Sequence, residues 1–263
     1  MTGDPFERHN IGHLSPSSLR LFRDELPAWV AKYLLKAEDE GGPGAWRGKA
    51  VEAGVDRLLF GYNDVDADRA MRATWDLAAQ GELSAEIEKE QGALPDFLVQ
   101  AKIAFAGLPV PVNRQCRIEL KLPGISVPFI GYCDWVWRDK GDDLKTTHRI
   151  PSKPDPQHTE QVAAYSVYTG LPFSLTYVSP KRWTRYEIIR PVADEAYDRL
   201  IEGALAIRSF LDHVRDGHDA MSMFSPDLTR FYYKPAMAEA VRNAKAISVL
   251  PSRSSPCNST SAS

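Results

Sequence analysis

Two carboxylates and an ammonium lie close together in the chain. Asp134 stands before a turn-forming run, Asp139-Lys140-Gly141-Asp142, and Asp143 and Lys145 stand just after it. Around Asp134, the aromatic and β-branched residues Phe129, Ile130, Tyr132, Trp135, Val136 and Trp137 favour a strand. The run between is turn chemistry, and a short second strand is expected around Leu144. Residues two apart in a strand share a face, so Asp143 and Lys145 point the same way while Leu144 points into the core. If the hairpin pairs simply, Asp134 lies near that face.

Carboxylates gathered beside an apolar core are costly unless something compensates them. A hard divalent cation does so, since Mg²⁺ takes carboxylate and carbonyl oxygens and keeps waters for exchange. An ordinary salt-bridge network on an exposed sheet face is the plainer account of an isolated D-x-K. Two further features weigh against it. Gln161 and Tyr165 are four apart in a helix-forming run rich in alanine, and so share a face. Trp46-Arg-Gly-Lys-Ala-Val-Glu52 opens a helix with an apolar stripe of Val51, Val55, Leu58 and Leu59, and Glu52 borders that stripe.

The order is a Glu on a helix, an Asp in a strand, D-x-K on the next strand, then Q-x-x-x-Y on a helix. From about Ser15 to Arg190 it resembles the PD-(D/E)xK nuclease superfamily, in its RecB-like and lambda-exonuclease (YqaJ-like) branches. The resemblance implies that Asp134 is the principal metal ligand, Asp143 the second and Glu52 a helix carboxylate near the metal. It implies Lys145 as the catalytic lysine, the Leu144 carbonyl as a further ligand, and Gln161 and Tyr165 as residues that position DNA and support the site. The cofactor would be Mg²⁺ or Mn²⁺. The chain departs from the pattern in two places. RecB-like proteins usually carry His where Glu52 stands, and the usual Glu of (D/E)xK is the shorter Asp143 here.

The fold expected is α/β: a central mixed sheet of four or five strands flanked by helices, with helical additions at both ends. With 263 residues, 43% of them hydrophobic, the chain can bury one substantial core. One nuclease domain is expected over 1–250, its core about 46–190 and its helical flanks 14–45 and 192–246, followed by a disordered serine-rich tail over 251–263. The net charge of −3 is unlike that of a general nucleic-acid coat protein, so basic patches would be confined to the path of the DNA. Cys116, Cys133 and Cys257 are too few and scattered for a disulfide framework, and no iron–sulfur cluster is expected. With no apolar run of spanning length and no signal-peptide core, the expected location is cytoplasmic, without a membrane partner.

The positioning elements follow. Ser15 can cap a helix with Pro16 in its first turn, and Leu19, Phe22, Leu26, Val30 and Leu34 recur at helical spacing, with a break at Pro27. Packing accounts for most of this segment. By analogy with the superfamily, Ser17, Ser18, Arg20 and Arg23 are weak candidates for phosphate contact. The acidic, glycine-rich stretch 38–44 reads as a solvated connection. Helices are expected over 66–80, 83–91 and 96–105, and a strand over 117–122. His148 and His158, ten apart across three prolines, do not make a zinc site and read as polar loop residues near DNA. Strands are expected over 173–179 and 185–190. Lys181, Arg182, Trp183 and Arg185 in and beside the turn suit a phosphate backbone and a stacked base, and equally a solvated hairpin tip. A long helix over 192–214 covers the sheet, and 225–246 adds an aromatic-rich loop and a last helix.

The reading is therefore a Mg²⁺- or Mn²⁺-dependent deoxyribonuclease, an exonuclease of phage or bacterial recombination and repair. Its partner is DNA, with a single-strand annealing or recombination protein as a second candidate. The alternatives are a structure-specific or restriction-type endonuclease on the same fold and a non-catalytic DNA-binding module. A metabolic nucleotide enzyme is disfavoured, since Gly41-Gly-Pro-Gly lacks the lysine and strand of a P-loop.

Overall fold

The strand bearing Asp143 is the middle of a five-stranded sheet. The computed structural model describes residues 3–39 and 41–249, so the tail expected over 251–263 lies outside the described residues. The strands are β1 (Asn113–Leu120), β2 (Phe129–Val136), β3 (Gly141–Thr146), β4 (Phe173–Val178) and β5 (Trp183–Ile188), and they stand in sequence order across the sheet. β3 and β4 run parallel and the other neighbours antiparallel, so the sheet is mixed. The parallel pair needs a crossover, and α7 (Pro156–Thr169) supplies it.

The remaining helices cover the two faces and the ends of the sheet. They are α1 (Pro5–Arg8), α2 (Pro16–Asp24), α3 (Leu26–Tyr33), α4 (Pro43–Leu59), α5 (Asp64–Ala79), α6 (Ala85–Phe105), α8 (Arg190–His213), α9 (Gly217–Ser222) and α10 (Pro235–Val249). One core layer gathers Trp46, Val51, Trp75 and Phe97 of α4–α6 with Trp135, Leu144 and Val178 of the sheet. The other gathers Trp29, Tyr165, Leu200 and Ile207 of α3, α7 and α8 with Ile118, Phe129 and Phe173. Each such side chain contributes about 2 kcal/mol when buried. Both faces of the sheet are therefore dry, and polar groups inside it need partners. Among the described residues, no helix is long and apolar enough to cross a membrane.

Local signals act as the sequence suggests at α2, where Ser15 accepts the Ser18 amide and Ser18 returns the bond, with Pro16 in the first turn. Pro27 opens α3 after the break. Four expectations are corrected. The two helices over 83–91 and 96–105 are one, α6, which passes through Pro95. Proline inside a helix costs about 3 kcal/mol, and the shared buried face of Leu94, Phe97, Leu98 and Ala101 outweighs it. β1 starts at Asn113, four residues before the expected strand. Asp142 lies in β3 rather than the turn, and Trp183 opens β5 rather than standing at a tip. The short helices α1 and α9 carry no signal strong enough to be expected.

Candidate active site

β2 and β3 are paired only at Trp135↔Asp142 and Val136↔Gly141. Beyond these pairs the ladder opens, and Asp134 and Asp143 stand on the two sides of the fork. Asp134 Oδ2 accepts the Leu144 amide hydrogen at 2.8 Å, so a side chain replaces the missing backbone partner. Leu144 itself points into the α4–α6 core, as its place between Asp143 and Lys145 demands.

Asp143 is 1% exposed. Its Oδ1 accepts the Gln161 amide at 3.2 Å, and its Oδ2 is 2.6 Å from Lys145 Nζ, an ion pair lying off the direction of a hydrogen bond. Lys145 also donates to Gln161 Oε1 at 2.9 Å. Gln161 Nε2 donates to Tyr165 Oη at 2.6 Å, so the expected i, i+4 pair on α7 forms one unit with Asp143 and Lys145. Tyr165 is buried, and its ring explains Gly131 on β2. A Cβ there would come within 2.8 Å of the ring.

Glu52 reaches the fork from α4 on the other face of the sheet. It meets Asp134 through Gln115 of β1, whose amide nitrogen donates to Glu52 Oε1 and lies 3.4 Å from Asp134 Oδ1. Gln115 has φ of +44°, in the left-handed region that costs a non-glycine residue about 1–2 kcal/mol. Its flanks pair regularly, Arg114↔Trp135 and Cys116↔Cys133, while Gln115, facing Asp134, does not. The backbone thus turns at the residue that ties the two carboxylates together. Sequence reasoning missed Gln115, because glutamine in a strand gives no sign of a positive φ.

Electrostatics follow from this crowding. Desolvation, then the charge of Asp143, pushes the Glu52 carboxyl up to about 7. Asp134 is held well above the usual carboxylate range by burial first, then by Asp143 and Glu52. Burial also raises Asp143 against the pull of Lys145. Among the described residues, no three His, Cys, Asp or Glu side chains are already arranged to hold a metal ion. Each carboxylate is spent on an amide or the ammonium instead. The donor set itself is of the kind a hard divalent cation takes, and Asp143 Oδ2 is a buried oxygen without a directed hydrogen bond.

A cleft of about 700 Å³ opens beside the cluster, lined by Lys145, Gln161 and Tyr165 but not by Asp134 or Asp143. Ser17, Arg20 and His158 are among its other walls. Arg20 lies 3.1 Å from His158 Nε2, and His158 Nδ1 lies 2.8 Å from Tyr177 Oη. Arginine can only donate, so Nε2 accepts and the proton sits on Nδ1. Desolvation, with Lys145 nearby, brings His158 down to about 3, which keeps the ring neutral.

The other candidates divide. Arg23 faces away from the cleft's walls, bonded to buried Glu160 at 2.5 Å and to the Arg199 carbonyl at 2.8 Å. Ser18 is consumed in the cap of α2. Arg185 pairs with buried Asp142 at 2.8 Å, donates to Thr176 Oγ1 and the Ala104 carbonyl, and stacks on Phe105. It is a structural cation rather than a free one, and Trp183 packs half-buried beside it. Desolvation still pushes the Asp142 carboxyl up to about 7 against Arg185. His148 is bound to Glu90 at 2.7 Å, in a buried network with Arg47 and Thr146 that ties α4 to the end of β3. Lys181 and Arg182 remain exposed.

The fold is similar to that of a candidate exonuclease from Eubacterium rectale, at 14% sequence identity and a TM-score of 0.51 over 91% of this chain and 92% of that chain. Two other solved structures match less well. SSO0001 gives 15% identity and a TM-score of 0.35 over 67% of this chain and 83% of its own. LHK-Exo in complex with dAMP gives 14% identity and a TM-score of 0.33 over 65% of this chain and 93% of its own. No family model and no curated protein matches the sequence. At these identities the likeness is one of fold.

Proposed function

We propose that the chain is a metal-dependent deoxyribonuclease, an exonuclease of bacterial or phage DNA recombination and repair. The observation that carries the reading is the unit of Asp143, Lys145, Gln161 and Tyr165 joined at the opening of the β2–β3 ladder, with Asp134 bonded across the fork. The fold shared with a candidate exonuclease supports it.

Asp134, Asp143 and Glu52 would hold Mg²⁺ or Mn²⁺, with the Leu144 carbonyl as a candidate neutral ligand. When bound, the ion would supply charge neutralisation at a phosphate and a more acidic water. Lys145, fixed between Asp143 and Gln161 Oε1 and facing the cleft, offsets charge that builds on the phosphate and orients the attacking water. Gln161 and Tyr165 hold the lysine and the buried carboxylate in one geometry. Ser17 and Arg20 offer donors to the phosphates of a strand end lying in the cleft, and neutral His158 holds Arg20 in place by accepting from it through Nε2.

The test is incubation of end-labelled linear DNA with the protein, with Mg²⁺ and with EDTA. Release of labelled nucleotides only with the metal is expected. Intact DNA under both conditions would reject the nuclease reading.

A further inference from the structure

Two loops that are far apart in sequence place their cations on one surface. The first leaves β3 after Thr146 and carries Arg149, four residues past Lys145, and Lys153. The second is the β4–β5 turn and carries Lys181 and Arg182. Arg149, Ile150, Pro151, Ser152 and Arg182 line a single shallow cleft of about 560 Å³, with no acidic residue among them. All four cations are exposed. None of them belongs to an ion pair among the described residues, unlike Arg185 of β5, which pairs with Asp142.

Both loops are held in shape. Ile150 is buried in the core, and Tyr186 of β5 donates to the Pro151 carbonyl at 2.7 Å, so the first loop is pinned to the strand that follows the second. Thr147 Oγ1 bonds both the amide and the carbonyl of Arg149. In the turn, Ser179 and Arg182 exchange backbone and hydroxyl hydrogen bonds at 2.9–3.2 Å. The cations therefore stand on fixed backbone, and docking an anion there orders only side chains.

The position is also set. Arg149 lies at most about 14 Å of extended chain from Lys145. The patch sits past the carboxyl ends of the parallel strands β3 and β4, where ligands of open α/β sheets commonly bind.

We propose that Arg149 and Arg182, with Lys153 and Lys181 at the rim, form a dock for the sugar–phosphate backbone of DNA. The dock receives the strand a few nucleotides from the cleft at Lys145. The contact is ionic and independent of base sequence. The inference rests on DNA being the substrate but not on cleavage.

The experiment is binding of a labelled linear duplex in EDTA, followed by fluorescence anisotropy across a salt series. Each lost phosphate contact lowers the slope of log affinity against log salt by about 0.9. The pair Arg149→Gln and Arg182→Gln is therefore expected to lower the slope by about 2. Arg138→Gln, at the opposite end of β3, should leave it as it is. All three positions are exposed, and thermal melts check that each variant is folded. If the double variant keeps the wild-type slope, or matches Arg138→Gln, the dock is overturned. Failure of the wild-type protein to bind duplex overturns it too. Binding that runs through Arg149 and Arg182, without strand cutting when Mg²⁺ is added, upholds the dock and overturns the nuclease reading alone.

Discussion

The carboxylate of Asp134 accepts the amide hydrogen of Leu144 at 2.8 Å, where β2 and β3 have stopped pairing. This one bond fixes the distance between the strand that carries Asp134 and the strand that carries Asp143 and Lys145. An asparagine at 134 can still accept through its oxygen, so Asp134→Asn keeps the bond and removes the charge. It is expected to abolish metal-dependent cleavage and to raise the melting temperature in EDTA, because a desolvated, repelled carboxylate is gone. Asp143→Asn should also abolish cleavage but lower the melting temperature, since Lys145 loses its ion pair. Wild-type cleavage rates in both variants would remove these residues from the metal site.

The pH dependence of stability tests the crowding around Glu52. Its carboxyl goes from 4.5 to about 7 on folding. Between those values the native state keeps a proton that the unfolded chain has released. Its contribution to stability is full below about pH 4.5 and is lost as pH rises through 7. The full effect is on the order of 3 kcal/mol, or several degrees in Tm. Asp142, at about 7, has the same sign. His158, depressed from 6.5 to about 3, has the opposite one, with stability lost as the pH falls from 6.5 toward 3. The difference between wild type and Glu52→Gln removes both backgrounds and reports Glu52 together with the relief of Asp134, which Glu52 helps to raise. Melts in EDTA from pH 4.5 to 8 should show Glu52→Gln gaining on wild type as pH rises. A constant difference would mean that Glu52 titrates normally.

Arg185 gives a stability effect where the sequence suggested DNA binding. Arg185→Ala leaves Asp142, 3% exposed, without its cation. Breaking one side of a buried pair costs about 3–5 kcal/mol. Chemical denaturation should register that loss, and the salt slope of DNA binding should stay as in wild type. A stable variant with a reduced slope would return Arg185 to the DNA path.

Legibility follows from the range of the interactions. Asp134, Asp143 and Lys145 could be read because strand alternation and residue type both act locally, and Gln161 with Tyr165 because a helix turn is local too. The Asp142–Arg185 pair was hidden because it needs β3, β4 and β5 in order, which joins residues 43 apart in the sequence. Gln115 was hidden for another reason. Its amide reaches Glu52 and Asp134 only because the backbone adopts a φ that glutamine rarely takes. The unbroken α6 shows the reverse case, where a strong local signal at Pro95 yields to packing.

Lys145, Gln161 and Tyr165 together separate an exonuclease from an endonuclease on the same fold. Lys145→Ala leaves the three carboxylates in place, so Mn²⁺ binding by calorimetry should persist. Cleavage should fall by roughly 10²–10⁴-fold as the water and the phosphate lose their cation. Tyr165→Phe keeps the ring packed under Gly131 and removes only the oxygen that receives the Gln161 amide. Gln161 then holds Lys145 and Asp143 less firmly, which should lower turnover by about tenfold and shorten digestion runs, with metal affinity little changed. The cleft opens on Lys145 and not on Asp134 or Asp143, so a strand end is expected to enter past Gln161 and His158 to reach the carboxylates. Covalently closed duplex should therefore survive conditions that consume the same DNA once linearised. Efficient cutting of the closed circle would instead assign the site to an endonuclease.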